Sequence, residues 1–242
     1  MNDPRISIVI PAYNEGAGIV RCLDRLLAAV HSSCEVLVVY DRPTDTTAAP
    51  VQLYAAADGR VRPLLNDIGV GPATAIRSGF RHAQAPVVVV TMADGSDQPS
   101  QIEELARMVE EGAVVAAASR YVRGGRQEGG PWLKGLASRT AGLSLYLLAG
   151  VGTHDPTNSY KAYSKAFIEE VGVESDAGFE IGIEMVAKAK LGRRQVVEIP
   201  TVWLDRTSGQ SNFKVWQWIP RYLRWYLVAL IRFRWSVPRT RG

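Results

Sequence analysis

A chain of 242 residues, 47% hydrophobic and 21% charged, is long enough to bury one substantial core, so one catalytic domain with an appendage is expected. Its two cysteines, Cys22 and Cys34, argue against a disulfide framework, and the first apolar run, Ile6 to Ile10, is too short for a signal segment or a membrane span, which makes the cytoplasmic side the expected location. A formal charge of +4 and a pI near 9.1 suit an anionic lipid, nucleotide or nucleic-acid partner and say nothing of fold.

In chain order, Ile6 to Ile10, Glu35 to Val39, Val61 to Leu65, Val87 to Val90 and Val114 to Ala118 read as strands. Helical spacing lies between them: Ile19, Cys22, Leu23, Leu26, Leu27 and Val30 form one such set, and Ile102, Leu105, Ala106 and Val109 another. This alternation predicts a mainly parallel sheet, and the near absence of charge in the strands predicts helices over both faces. Pro50 marks a break near the second crossover helix. From Arg120 to Gly152, glycines at 124, 125, 129, 130 and 135 punctuate a basic segment that leads into a helical stretch, Leu143 to Ala149. Gly178 to Leu191 reads as a helix, Val196 to Val202 as a strand with Pro200 near its end, and Leu204 to Asn212 as a polar loop.

The segment from Phe213 to Ile231 is aromatic and basic. Lys214, Arg221 and Arg232 lie seven and eleven residues apart, near whole helical turns, so they share a face with Gln217 and Arg224 nearby. Tyr222, Tyr226, Ile219 and Leu230 fall opposite. A basic stripe backed by aromatic surface suits a helix lying in a membrane interface, and its central arginines argue against a spanning helix. A terminal helix docked on the domain suits the same pattern, and both stay open. The expected division is therefore a domain over residues 1–212 and an amphipathic appendage over 213–242. Nucleic acid is a poor partner, because the basic residues accompany a broad apolar face and no nucleic-acid module is visible.

The strands deliver polar or glycine-rich turns to one edge of the sheet, the edge where an open α/β sheet holds its ligand. Pro11-Ala12-Tyr13-Asn14-Glu15 comes first: a nucleotide base can rest against the Tyr13 ring, and a strand-to-helix turn with Asn14 near the helix start explains the same residues. In Tyr40-Asp41-Arg42-Pro43-Thr44-Asp45, Asp41 can accept a base N–H, while Thr44 or Asp45 caps the next helix. Asn66 to Ala73 follows with Gly69 and Gly71, which let backbone pass close to a ligand. In Thr91-Met92-Ala93-Asp94-Gly95-Ser96-Asp97, carboxylates sit where a strand ends and can hold a divalent cation against a diphosphate.

Taken together, Ser7 to Glu15, the turn at Asp41, the turn at Asp94, Ser119-Arg120-Tyr121-Val122-Arg123-Gly124-Gly125 and Asp205-Arg206-Thr207-Ser208-Gly209-Gln210-Ser211 resemble family 2 glycosyltransferases. The similarity is greatest to polyprenyl-phosphate sugar synthases of the dolichol-phosphate mannose synthase type. The resemblance implies the A-type glycosyltransferase fold, a Rossmann-like α/β architecture with a mainly parallel central sheet. It also implies a GDP- or UDP-linked nucleotide sugar as donor, Mg²⁺ or Mn²⁺ as cofactor, a polyprenyl phosphate as acceptor, and peripheral attachment to the inner face of the membrane.

By position, the resemblance assigns Pro11, Ala12, Tyr13, Glu15 and Ala93 to the nucleoside and Asp41 to the base. Asp94 takes the metal. Arg120, Lys134, Arg139 and Arg206 take the acceptor phosphate, for which a guanidinium fork is suited because it pairs with two oxygens at once. Lys134 and Arg123 read equally well as solvated surface charge. Asp155, in His154-Asp155-Pro156-Thr157-Asn158-Ser159-Tyr160, lies beside the reacting centre and completes a catalytic set of Asp94, Asp155 and Arg120. A polar turn leading into a strand explains the same stretch. Glu180 and Glu184 share a helix face, and one of them is placed to meet the donor sugar.

Two departures from the family pattern stand out. Tyr40-Asp41-Arg42-Pro43 replaces its Asp-Asp-Gly-Ser turn, and Met92-Ala93-Asp94 replaces its Asp-x-Asp triplet. A thioether is a poor Mg²⁺ ligand, so Asp97 or Ser96 is expected to compensate, and metal affinity is weak if neither does. Two alternatives stay open: an acceptor hydroxyl on a lipid-linked saccharide, with Asp155 as general base, and a non-catalytic nucleotide or membrane binder.

Overall fold

The structure, a computed structural model, describes residues 3–129, 132–204 and 215–231, with the side chains of 132–134 and 215–218 left aside. Strands and helices alternate through its first half: β1 (Ile6–Ala12), α1 (Gly18–Ala29), β2 (Cys34–Tyr40), α2 (Ala48–Ala57), β3 (Val61–Leu65), α3 (Pro72–His82) and β4 (Val87–Val90). A 3-10 turn at Pro99–Gln101 leads into α4 (Ile102–Glu110) and β5 (Val115–Ser119). The second half is less regular, with β6 (Arg126–Glu128), α5 (Trp132–Ala149), β7 (Lys161–Ser164), α6 (Lys165–Val171), α7 (Ile181–Leu191), β8 (Val196–Pro200), β9 (Val202–Leu204) and α8 (Val215–Leu230).

Seven strands form one sheet in the order β3-β2-β1-β4-β7-β5-β8, parallel throughout except for β7, which runs antiparallel to both neighbours. Strand order reverses between β1 and β4, and the carboxyl ends of those two strands open the crevice where such sheets bind ligands. Period-two alternation sorts the β1 side chains. Ile6, Ile8 and Ile10 pack with Leu23, Leu26 and Leu105 on one face, and Val9 packs with Ile76 and Phe80 on the other. Each such fully buried side chain contributes roughly 1.5–3 kcal/mol.

Several expected boundaries move. Pro50 does not break α2 but sits in its first turn, where a missing N–H costs no helical bond. The helix expected at Leu143 begins at Trp132, so Gly135 and Gly142 lie inside it. Gly142 is there for close approach, since a Cβ would fall 2.1 Å from the His154 carbonyl oxygen. The helix expected from Gly178 begins at Ile181, because the Glu180 carboxylate takes the N–H groups of Ala177 and Gly178. The strand expected over Val196 to Val202 divides at Thr201: β8 stays in the main sheet and β9 pairs with β6 in a second, two-stranded sheet. The polar loop beyond Leu204 lies outside the described residues.

Helix α8 packs on α7 and α5. It buries Trp225 and Ala229 and half-buries Tyr222, Tyr226 and Leu230, and Tyr226 Oη lies 2.8 Å from Ser144 Oγ. Ile219 is exposed with Leu223, Leu227 and Ile231 in a row at four-residue spacing, whereas the tyrosines expected on its side are half-buried. Arg224 pairs with Glu174 at 2.6 Å, and Arg221 with Asp176 at 3.8 Å. Lys214 and Arg232 lie outside the described residues. Among the described residues no helix is long and apolar enough to cross a membrane.

Because Gly142 abuts backbone rather than a yielding side chain, Gly142→Ala is expected to cost about 1–3 kcal/mol. A lowered urea midpoint with an unchanged slope would show it, and an unchanged midpoint would contradict the contact.

Candidate active site

Two turns at the carboxyl edge are stitched together by side chains. The Asp45 carboxylate, buried after β2, accepts Asn14 N at 3.1 and 3.2 Å and Thr47 N at 2.8 Å. Glu15 N donates to Thr47 Oγ1 at 3.1 Å. Asn14 takes a positive φ of 54°, tolerable for asparagine, and Tyr13 is left exposed beyond buried Ala12. Asp41 accepts Asn66 Nδ2 on one oxygen and Gly71 N on the other, both at 2.8 Å. Each carboxylate oxygen keeps a second lone pair for a ligand N–H. Pro11, Ala12, Tyr13, Glu15 and Asp41 thus come to the ends of β1 and β2, adjacent parallel strands.

The acidic turn follows β4. Asp94 is half-buried and its Oδ1 accepts Ser96 N at 3.0 Å. Asp97 is buried, and its Oδ2 accepts Thr91 Oγ1 at 2.9 Å and Met92 N at 3.0 Å. Burial, with a smaller contribution from the charge of Asp94, pushes the Asp97 carboxyl up to about 6. Met92 packs against the second core layer, and Ala93 is buried. Ser96 Oγ is buried without a hydrogen-bond partner. Beneath the turn, Cys22 Sγ lies 3.8 Å from Met92 O, and burial followed by the two aspartates pushes its thiol up to about 12, far from a thiolate ligand.

Beyond β5 the charge changes sign. Arg120 Nε meets Asp155 Oδ2 at 2.6 Å, Nη2 meets Oδ1 at 2.9 Å, and Arg120 N donates to Oδ2 at 3.1 Å. Nη2 also reaches Ser138 Oγ on α5 at 3.3 Å, and the Arg120 guanidinium carbon lies 4.9 Å from the Tyr121 ring centre. Asp155 is fully buried. Burial alone would raise its carboxyl, but Arg120, and then Lys161, outweigh that and hold it below its ordinary value. A cavity of about 830 Å³ opens at Arg120 and is lined also by Tyr121, Arg123, Gln127, Leu136 and Arg139. The acidic turn and the cationic cavity are joined through β9: Leu204 N donates to Ser96 O at 3.2 Å, and β9 pairs with β6, whose Arg126 and Gln127 line the cavity.

Arg139 is exposed at the cavity wall. Lys134 lies on the first turn of α5, with its side chain outside the description, and Arg206 is outside the described residues. Glu180 and Glu184, expected near a donor sugar, are both engaged within the protein, Glu180 by the N–H groups of Ala177 and Gly178. Both are buried, and Glu184 accepts Glu174 N and Ser175 N and pairs with Lys188 at 2.7 Å. Sequence reasoning missed Ser138 and Lys161. Nothing local marks Ser138, whereas Lys161, a lone charge between Tyr160 and Ala162, carried a signal.

Asp155→Asn leaves Arg120 largely buried without its counter-charge and is expected to cost about 3–5 kcal/mol at neutral pH. Because the folded-state carboxyl sits below its ordinary value of 3.8, that stabilisation is complete above pH 3.8 and is lost as pH falls through the folded value. Denaturation curves of variant and wild type should therefore converge in acid, and a gap independent of pH would refute the charge argument.

Residues 7–172 match the family described as Glycosyl transferase family 2. A polyprenol monophosphomannose synthase of Mycolicibacterium smegmatis is 32% identical, the alignment covering 88% of this chain and 86% of that protein. An undecaprenyl-phosphate mannosyltransferase of Micrococcus luteus is 31% identical over 98% of both chains. The solved glucosyl-3-phosphoglycerate synthase of Mycobacterium tuberculosis, in complex with Mn²⁺, UDP and glucosyl-3-phosphoglycerate, superposes with a TM-score of 0.69 at 17% identity, covering 95% of this chain and 80% of that one. Likeness at that identity speaks to fold alone. A mainly parallel sheet that reverses order beside an acidic turn is the A-type glycosyltransferase fold, and the match over residues 7–172 places the chain in glycosyl transferase family 2.

Proposed function

We propose that this protein is an inverting glycosyltransferase that moves a sugar from a GDP- or UDP-linked donor to a polyprenyl phosphate. The names of the two relatives support the acceptor class. The observation that carries the proposal is the Arg120–Asp155 pair set against a cationic cavity next to the turn at Asp94. A phosphate monoester is already anionic, so its oxygen needs alignment with the anomeric carbon rather than a base. Arg120 and Arg139, with Lys134 and Arg206, supply the cations that align it. An acceptor hydroxyl would need Asp155 as base. Asp155 is fully buried, held below its ordinary value and spent on Arg120, which favours the phosphate.

On the donor side, Pro11, Ala12, Tyr13, Glu15 and Ala93 shape the nucleoside site and Asp41 receives the base. Among the described residues no group of three or more His, Cys, Asp or Glu could hold a metal ion. Asp94, with Asp97 behind it and the unpartnered Ser96 Oγ two residues on, fits a cation that takes one or two carboxylates and completes its shell with substrate phosphates, as Mg²⁺ or Mn²⁺ does. Bound there, the cation supplies charge neutralisation to the departing nucleoside diphosphate. Asp94→Ala is expected to fold normally and to lose essentially all metal-dependent transfer from GDP-mannose or UDP-glucose to undecaprenyl phosphate. Unchanged product formation by this variant would refute the assignment.

Residues 1–212 carry the chemistry in this proposal, and 213–242 attach the protein peripherally to the inner face of the membrane. The exposed row Ile219, Leu223, Leu227 and Ile231 supports attachment, since a lipid-linked acceptor brings its substrate to an apolar boundary. Leu223→Glu with Leu227→Glu leaves buried Trp225 in place and should release most of the protein from sedimenting anionic liposomes. Undiminished sedimentation would count against the attachment.

A further inference from the structure

Lys161 is fully buried in the middle of the main sheet, opposite Val90 of β4 and Ala117 of β5. Its ammonium donates to three backbone carbonyls of one turn: Asp155 at 3.3 Å, Pro156 at 3.2 Å and Asn158. Burial pulls the Lys161 pKa down to about 7 against the pull of Asp155, yet three carbonyl oxygens facing one nitrogen suit the protonated form, whose three N–H groups they saturate. Gly182 of α7 closes the cage from the other side, where a Cβ would lie 3.0 Å from Asn158 O, 3.1 Å from Pro156 O and 3.4 Å from Lys161 Nζ. With its carbonyls turned inward to Lys161, the turn presents the Asp155 carboxylate to Arg120.

A charge in a buried strand is costly unless it is fully hydrogen-bonded, and an apolar side chain would fill the space without that cost. We infer that Lys161 is a positioning residue for the acceptor phosphate: it clamps the 155–158 turn and thereby, through Asp155, fixes the guanidinium plane of Arg120. This role rests on the proposed binding of the acceptor phosphate by Arg120. Without the ammonium, three buried carbonyls lose their donor and the turn must move to rehydrate or re-pair them. The donor crevice, built on β1, β2 and β4, should feel little of that movement.

The test compares full-length Lys161→Met, Gly182→Ala and Arg120→Gln, using farnesyl phosphate for acceptor Kd and GDP and UDP for nucleotide Kd. Steady-state kinetics with undecaprenyl phosphate run beside the binding measurements. Lys161→Met is expected to weaken farnesyl phosphate binding about tenfold and raise acceptor KM to match, with nucleotide Kd within about twofold and kcat at saturating acceptor largely kept. Gly182→Ala favours the helix yet presses on the same carbonyls, so it should give a smaller loss confined to the acceptor, and it decides the matter if Lys161→Met fails to fold. If Arg120→Gln weakens acceptor binding while neither cage variant does, the inference about Lys161 is overturned and the proposed function stands. If Arg120→Gln leaves acceptor binding intact, the phosphate role of Arg120 fails, and with it the role of Lys161. Equal losses for acceptor and nucleotide in the cage variants would reduce Lys161 to a general structural part and overturn the inference.

Discussion

The ion pair between Arg120 and Asp155 ties the end of β5 to the turn before β7 and, through Ser138, to α5. Withdrawing such charges from water costs several kcal/mol per ion, so a pair of this kind persists only where the geometry is good and the remaining polar positions are satisfied. Asp155 meets that condition, receiving Arg120 Nε, Nη2 and N together with the Thr157 hydroxyl and Asn158 N. The consequence is a guanidinium held in one plane at a cavity wall, unlike a surface arginine free to sample many rotamers.

The sheet topology explains why opposite charges face each other here. Reversal of strand order between β1 and β4 opens a crevice at their carboxyl ends and sets the Asp94 turn there. The antiparallel β7 then separates β4 from β5, and the turn that enters it carries Asp155 toward Arg120. An acidic turn thus neighbours a basic cavity, and in the proposed function they take the cation with the diphosphate and the phosphate monoester respectively. Bringing two anionic substrates together is the electrostatic difficulty of the proposed reaction, and this arrangement gives each its own countercharge.

Helix α8 docks on the domain through one side and keeps an apolar row on another: Trp225 and Ala229 are buried, while Ile219, Leu223, Leu227 and Ile231 are exposed. Its arginines do not form a simple basic stripe either, since Arg224 and Arg221 pair with Glu174 and Asp176. Helical period alone predicts that residues share a face. It does not predict which neighbour that face will meet.

By itself the amino-acid sequence determined the parallel strands of the first half, because fully buried strands read as continuous β-branched runs such as Val87 to Val90, and the polar turns that follow them, because a parallel sheet must turn at each carboxyl end. Asp41, Asp94 and Arg120 were legible on that basis as residues that follow strand ends, and the structure places them after β2, β4 and β5. The long reach of α5, the division of β8 from β9, and the roles of Ser138, Lys161, Glu180 and Glu184 were decided only in the folded chain. Each depends on contacts far apart in sequence: Gly142 against His154 O, Ser138 near Arg120, Lys161 under the Asp155 turn, Glu184 on the N–H groups of Glu174 and Ser175. A local pattern records which face a residue must bury. The partner that satisfies a buried polar group is set by packing, and packing exists only once the sheet has assembled.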